Sequence, residues 1–138
     1  MIRLAQYGDE ELFLKVKTDP WVMRASISKI IPNPATHHRW YMESMSDQDR
    51  FMFVLEDHIG VGRVDVILGN MGEISISIRR EYTNYGYGPK TIKEMMSYCK
   101  LKYYLARILD KNKNSIKCFK RLGFKKIVNI KHGGLYIK

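Results

Sequence analysis

The stretch that decides the fold is Ser75-Ile76-Ser77-Ile78-Arg79-Arg80-Glu81-Tyr82-Thr83-Asn84-Tyr85-Gly86-Tyr87-Gly88-Pro89-Lys90. Isoleucine alternates with serine, as in a strand with one buried face. A charged and aromatic loop follows, then two glycines, then a helical pattern over residues 89–100 with Pro89 in its first turn. A helix that begins this way leaves backbone N–H groups unpaired and gathers its positive dipole end at one point, so an anion suits it. Gly86 and Gly88 would let the main chain approach a phosphate with no Cβ in the way, and Lys90 adds charge nearby.

Upstream, the alternation extends back to Glu73, with Ile74, Ile76 and Ile78 on one face and Glu73, Ser75 and Ser77 on the other. Two more strand-like runs, residues 51–56 and 59–68, are separated by Asp57-His58, and a turn at residues 69–72 leads to the third. Three successive antiparallel strands are the natural result. Before them, a strand over residues 2–6 precedes a helix over 9–22 with Asp9 as N-cap. Pro32 and Pro34 then break the chain ahead of a second helix over 35–45. Downstream come a strand at 103–109, a helix at 115–122 ended by Gly123, and closing strands at 124–130 and 135–137. The predicted order is β-α-α-β-β-β-α-β-α-β-β.

With 138 residues, no repeat and no low-complexity tract, the chain is expected to form one domain over 1–138. No apolar run approaches the ~20 residues of a membrane helix, and the N-terminal stretch lacks a signal-type apolar core, so a cytoplasmic protein without membrane partners is expected. Cys99 and Cys118 lack metal-type spacing and fall at apolar positions of predicted helices, as reduced thiols would. His37, His38, His58 and His132 are scattered without ligand spacing, so no metal is expected.

The net charge of +10 is unevenly distributed. Residues 1–78 hold 8 Lys/Arg against 11 Asp/Glu, and residues 79–138 hold 16 against 3, which is −3 against +13. A basic half attracts polyanions of any kind. The chain shows neither an Arg-rich recognition helix nor the aromatic-studded strands of a single-strand reader, but charge alone does not choose between nucleic acid and a multiply phosphorylated cofactor.

The segment resembles the acetyl-CoA loop of the GNAT superfamily of N-acetyltransferases, where an apolar-x-apolar strand end leads into Arg/Gln-x-x-Gly-x-Gly/Ala and a helix. Here Thr83-Asn84-Tyr85-Gly86-Tyr87-Gly88 matches, with Thr83 in place of the usual Arg or Gln. Downstream, Asn112-Lys113-Asn114-Ser115-Ile116-Lys117-Cys118-Phe119-Lys120-Arg121-Leu122-Gly123-Phe124 is similar to the family's later block, Asn-x-x-Ala/Ser, an aromatic and Gly-Phe. The resemblance covers essentially all of the chain, the first 50 residues by topology more than by motif. It implies an α+β, three-layer fold: a mixed, mostly antiparallel twisted sheet of six to seven strands flanked by about four helices.

The resemblance also implies acetyl-CoA as co-substrate, direct transfer to a primary amine within a ternary complex, and a monomer or homodimer. The pyrophosphate would lie on main-chain amides of Thr83, Asn84, Tyr85, Gly86, Tyr87 and Gly88, near Lys90. Pantetheine would lie along Ile76, Ser77 and Ile78, with Asn112, Ser115 and Phe119 contributing from the later block. Glu73 is the candidate base, working directly or through a water, and equally reads as a solvent-facing carboxylate. The backbone N–H of Ile78 would polarise the thioester carbonyl. Relatives often carry an acidic tyrosine where Phe119 stands; Phe119 has no proton to give, so another tyrosine substitutes or CoA leaves as the thiolate.

For the acceptor, the His37-x-x-Trp40 helix and the strands after it are similar to the branch acting on nucleotide-linked amino sugars in surface-glycan synthesis. Trp40 or Tyr41 suits stacking, and Arg39 or Arg63 suits a diphosphate, with His37 beside them. Trp40 and Tyr41 read equally as anchors of their helix on the sheet. Two other functions stay open: acetylation of a protein N-terminus or lysine, and a non-catalytic module binding CoA or nucleic acid.

Overall fold

The computed structural model describes residues 1–138 and is built on a seven-stranded sheet in the order β1-β2-β3-β4-β5-β7-β6. Its strands are β1 Ile2–Leu4, β2 Arg50–Leu55, β3 Gly60–Ile67, β4 Met71–Ile78, β5 Tyr103–Leu109, β6 Lys125–Ile130 and β7 Gly133–Ile137. The helices are α1 Glu10–Lys17, α2 Pro20–Ala25, α3 Pro34–Ser46, α4 Tyr87–Cys99 and α5 Lys113–Arg121. All neighbouring strands are antiparallel except β4 and β5.

Five α-helices replace the expected four or so because the single helix predicted over 9–22 is two. Pro20 has no N–H to continue α1, and the Asp19 carboxylate accepts from Trp21 N–H at 2.8 Å, so the chain restarts a helix there. Asp9 makes no side-chain cap to α1; it accepts from the Gln6 N–H at 2.7 Å and from Arg3 Nη1 at 2.7 Å and Arg3 Nη2 at 2.9 Å, tying the first helix to β1. The predicted Asp57-His58 hairpin is a 3-10 turn, Glu56–His58, in which Asp57 and His58 adopt φ of 56° and 54°. α4 begins two residues before Pro89, with Gly86 as its N-cap at φ 82°. α5 likewise starts early, because Asn112 Oδ1 accepts from Ser115 N–H at 3.2 Å.

Strand alternation sorts side chains into two cores. Phe53, Val64, Ile74, Tyr104, Ala106 and Ile108 pack under α4 and α5 with Ile92, Met95 and Phe119. Met52, Val54 and Val61 pack on the opposite face with Phe13, Val16, Val22 and Tyr41 from α1, α2 and α3. Glu73 therefore shares its face with Arg63 and Arg107, on the side of α1, α2 and α3, while the β4 isoleucines face α4.

Candidate active site

Parallel strands β4 and β5 are joined only over Met71–Tyr103, Gly72–Tyr104 and Glu73–Leu105. Beyond that, residues 74–78 and 106–109 have no partner across the gap. Arg79 N–H donates to Ile59 O at 2.9 Å, which sets the phase of the β3–β4 ladder: odd-numbered residues of β4 bond to β3. The N–H and C=O of Ile76 and Ile78 consequently point into the gap. On the other wall, Tyr104 and Lys138 exchange two bonds of 2.9 Å, so even-numbered residues of β5 bond to β7 and Arg107 turns its backbone toward β4. A wedge with exposed backbone groups on both walls is the result.

The wedge forms the floor of a cleft of about 1040 Å³. Glu73, Ile76, Ser77, Ile78, Thr83, Asn84, Gly86, Tyr87, Gly88, Asn112, Ser115 and Phe119 all border it, as do Arg63 and Trp40. The sequence motifs thus converge on one space. At one end opens the N-terminus of α4, whose cap Gly86 offers no side chain and whose first turn holds no acid. Gly86 is needed for its left-handed backbone, since a Cβ there would meet nothing within 4 Å. Gly88 has a packing role as well as the expected one: its Cβ would stand 3.1 Å from Cys118 Sγ, so its absence lets α4 and α5 approach.

The side chains of three expected cofactor contacts have partners of their own. Tyr85 is 72% exposed and lies against the Tyr87 ring. Lys90 points toward Glu56, with Nζ 3.7 Å from Oε1. Thr83 Oγ1 donates to Arg80 O at 2.8 Å and serves the loop. Of the acceptor candidates, His37 is buried with Nε2 2.9 Å from Glu10 O, and Tyr41 is buried with its hydroxyl donating to Gln6 O at 2.5 Å. Both anchor α3 rather than face the cleft, and burial pushes the Tyr41 phenol up to about 12. Arg39 is exposed on the outer side of α3 and does not border the cleft.

Glu73 Oε2 accepts from Arg107 Nε at 2.9 Å and lies 2.8 Å from Nη2, with the Glu73 side chain 19% exposed. Arg107 was not visible as a site residue in the sequence, because the pair spans 34 residues and forms only where β4 meets β5. Lys17 and Trp21 also border the cleft without any sequence signal beyond helical periodicity. Lys17, Arg24, Arg63, Arg107, Lys111, Lys113, Lys117 and Arg121 surround the cleft, against one carboxylate, Glu73. Burial pushes the Lys17 ammonium and the Arg63 guanidinium below their ordinary values, and for Lys17 the positive Arg63 and Arg50 add to the effect. Phe119 packs edge-on against Phe124, 4.9 Å between ring centres, while the hydroxyl-bearing Tyr82 and Tyr87 border the cleft. Burial pushes the thiols of both Cys99 and Cys118 up to about 11. The side chains include no group of three or more His, Cys, Asp or Glu able to hold a metal ion.

A family model described as an acetyltransferase (GNAT) domain matches residues 1–125. A domain from Methanocaldococcus jannaschii superposes with a TM-score of 0.86 at 25% identity, covering 100% of this chain and 96% of its own. Spermidine N-acetyltransferase from Vibrio cholerae, solved with CoA and spermine, superposes with a TM-score of 0.85 at 15% identity, covering 99% and 92%. An aminoglycoside acetyltransferase solved with coenzyme A gives 0.84 at 12% identity, covering 100% and 93%. The last two show likeness of fold alone. A search of curated proteins finds no match.

Proposed function

From the premise that the chain belongs to the GNAT acetyltransferase domain family, we propose that residues 1–138 form one domain that transfers acetyl from acetyl-CoA to a primary amine. The observation that carries the reading is the wedge between β4 and β5, with the uncapped N-terminus of α4 opening beside it. Acetyl-CoA would supply an activated acetyl thioester, and the residues present suit it. N–H groups of Tyr87 and Gly88 face an anion with the helix dipole behind them. Lys111, Lys113 and Lys117 add positive charge along the same cleft. The backbone groups of Ile76 and Ile78 that β5 leaves unpaired are free to bond an amide-bearing arm, and the N–H of Ile78 is the candidate donor to a thioester oxygen.

On this reading Glu73 accepts the proton of the amine, directly or through a water, while Arg107 fixes the carboxylate by two contacts to one oxygen. Direct transfer fits better than a covalent route through cysteine. A thiol pushed up to about 11 is almost wholly protonated near neutrality and makes a poor nucleophile. The free thiols also suit a reducing cytoplasm.

For the acceptor, a nucleotide-linked amino sugar is the favoured class. Trp40 and Arg63, the two acceptor candidates that do border the cleft, offer an aromatic face and a guanidinium on its α1, α2 and α3 side. The polyamine and aminoglycoside acceptors of the superposed enzymes are polycations, and the cations around this cleft disfavour them. The test is calorimetric titration with acetyl-CoA, followed by release of free thiol with UDP-amino sugars, peptides and polyamines. Saturable CoA binding with amine-dependent thiol release is expected. Tight CoA binding with only background hydrolysis for every amine would leave a non-catalytic CoA module.

A further inference from the structure

We infer that Lys17 and Arg63 form an anion subsite on the α1, α2 and α3 side of the cleft, so that the acceptor amine carries a phosphate or carboxylate group. This rests on the acetyl-transfer reading of the same cleft and names the class of acceptor. Two cations lie against one indole, and a third joins them through a shared carboxylate. Lys17 Nζ lies 4.7 Å from the Trp40 ring centre, Arg50 Cζ lies 6.0 Å from it, and Arg63 shares the carboxylate of Asp65 with Arg50. Asp65 offsets one of these charges, and Glu73, the other acid near Arg63, is already held by Arg107, leaving a surplus of two positive charges.

The three cations are not equivalent. Arg50 has two hydrogen-bond partners: its Nε donates to Asp65 Oδ1 at 2.6 Å and its Nη1 to Ser44 Oγ at 2.8 Å, and it does not border the cleft. Arg63 Nε is buried and lies 3.1 Å from Asp65 Oδ2 without forming a hydrogen bond. Lys17 has no carboxylate partner, only the Trp40 face. Both of these less-engaged cations border the cleft. A cation–π contact offsets only part of the cost of taking an ion out of water, and an opposite charge is needed for the rest. Trp40 alone therefore does not account for like charges gathered in a half-buried position; an anion placed between Lys17 and Arg63 does.

Register places this anion relative to the chemistry. Arg63 pairs with Ser75 across β3–β4, and Asp65 pairs with Glu73, so Arg63 and the candidate base are near neighbours on one sheet face. An acceptor whose anionic group lies on Arg63 and Lys17 would present its amine toward Glu73 and the mouth of the wedge.

The experiment titrates the CoA-loaded protein with inorganic phosphate, succinate and spermidine by calorimetry, in wild type, Lys17→Met and Lys17→Arg. Loading with CoA keeps the probes off the N-terminus of α4. Phosphate, succinate or both are expected to bind wild type and to discriminate the two anion chemistries. Lys17→Met should weaken that binding about tenfold or more, ~1.4 kcal/mol, and Lys17→Arg should largely restore it. Spermidine should bind more weakly than either anion. No binding of either anion, binding indifferent to Lys17→Met, or tighter binding of spermidine would overturn the subsite. Failure of CoA itself to bind would count against the acetyl-transfer reading, and the dependence of anion binding on Lys17 would still decide the subsite.

Discussion

Arg107 on β5 reaches across the closed end of the wedge to Glu73 on β4, its Nε donating at 2.9 Å and its Nη2 lying at 2.8 Å, both to Oε2. The pair sits where the two strands stop hydrogen-bonding to each other, since Glu73–Leu105 is the last registered pair. The same geometry that opens the wedge thus places a held carboxylate at its apex, with Arg107 as a positioning residue.

Replacing Glu73 by Gln keeps the shape and removes the proposed proton acceptor. Turnover is expected to fall about 10²-fold or more at neutral pH, with acetyl-CoA affinity unchanged. The deficit should narrow as pH rises, because an amine already deprotonated in solution needs no base. Parallel pH–rate profiles for the two proteins would remove Glu73 from that role.

The two glycines of the loop should respond differently. Gly86→Ala forces a Cβ into a left-handed backbone at φ 82° and should cost about 1–2 kcal/mol of stability, visible as a lower Tm. Gly88→Ala should fail by crowding Cys118 Sγ at 3.1 Å, so Cys118→Ala in the same chain should rescue it, whereas no change at Cys118 should rescue Gly86→Ala. Additive melting shifts for the Gly88 and Cys118 changes would contradict the packing account.

The Asp9 carboxylate should govern the acid limb of stability. Its hydrogen bonds from Arg3, and then from the Gln6 N–H at 2.7 Å, hold it below the usual carboxylate range despite burial. A depressed folded-state value means the contribution is fully present above the unfolded value of 3.8 and is lost as pH falls through the folded one. Asp9→Asn should therefore cost about 1–3 kcal/mol at pH 7 and flatten the loss of stability below about pH 4. Urea midpoints measured from pH 7 to pH 2 check this, and parallel curves for both proteins would disprove it.

Seven strands and their order along the chain were legible in the sequence because period-two alternation and turn residues are local signals. Element edges were less so. Asp19-Pro20 splits one predicted helix into two, and Gly86 starts α4 before Pro89, since capping depends on which side chain reaches which N–H. His37 and Tyr41 show the same limit at the site: the resemblance of their helix offered both as acceptor contacts, with anchoring as the other reading for Tyr41, and packing turned both inward onto Glu10 and Gln6.

By itself the sequence determined that a strand, a glycine loop and a helix start lie in succession, and that Glu73 occupies the face opposite the isoleucines. Both follow from backbone periodicity over a few residues. Only the tertiary structure decided that β4 and β5 part after three paired positions, that Arg107 holds Glu73, and that Lys17 and Arg50 lie against Trp40 with Arg63 joined to Arg50 through Asp65. Those relationships join segments remote along the chain. They exist because sheet twist, helix packing and charge pairing are satisfied together in three dimensions, where no local pattern records them.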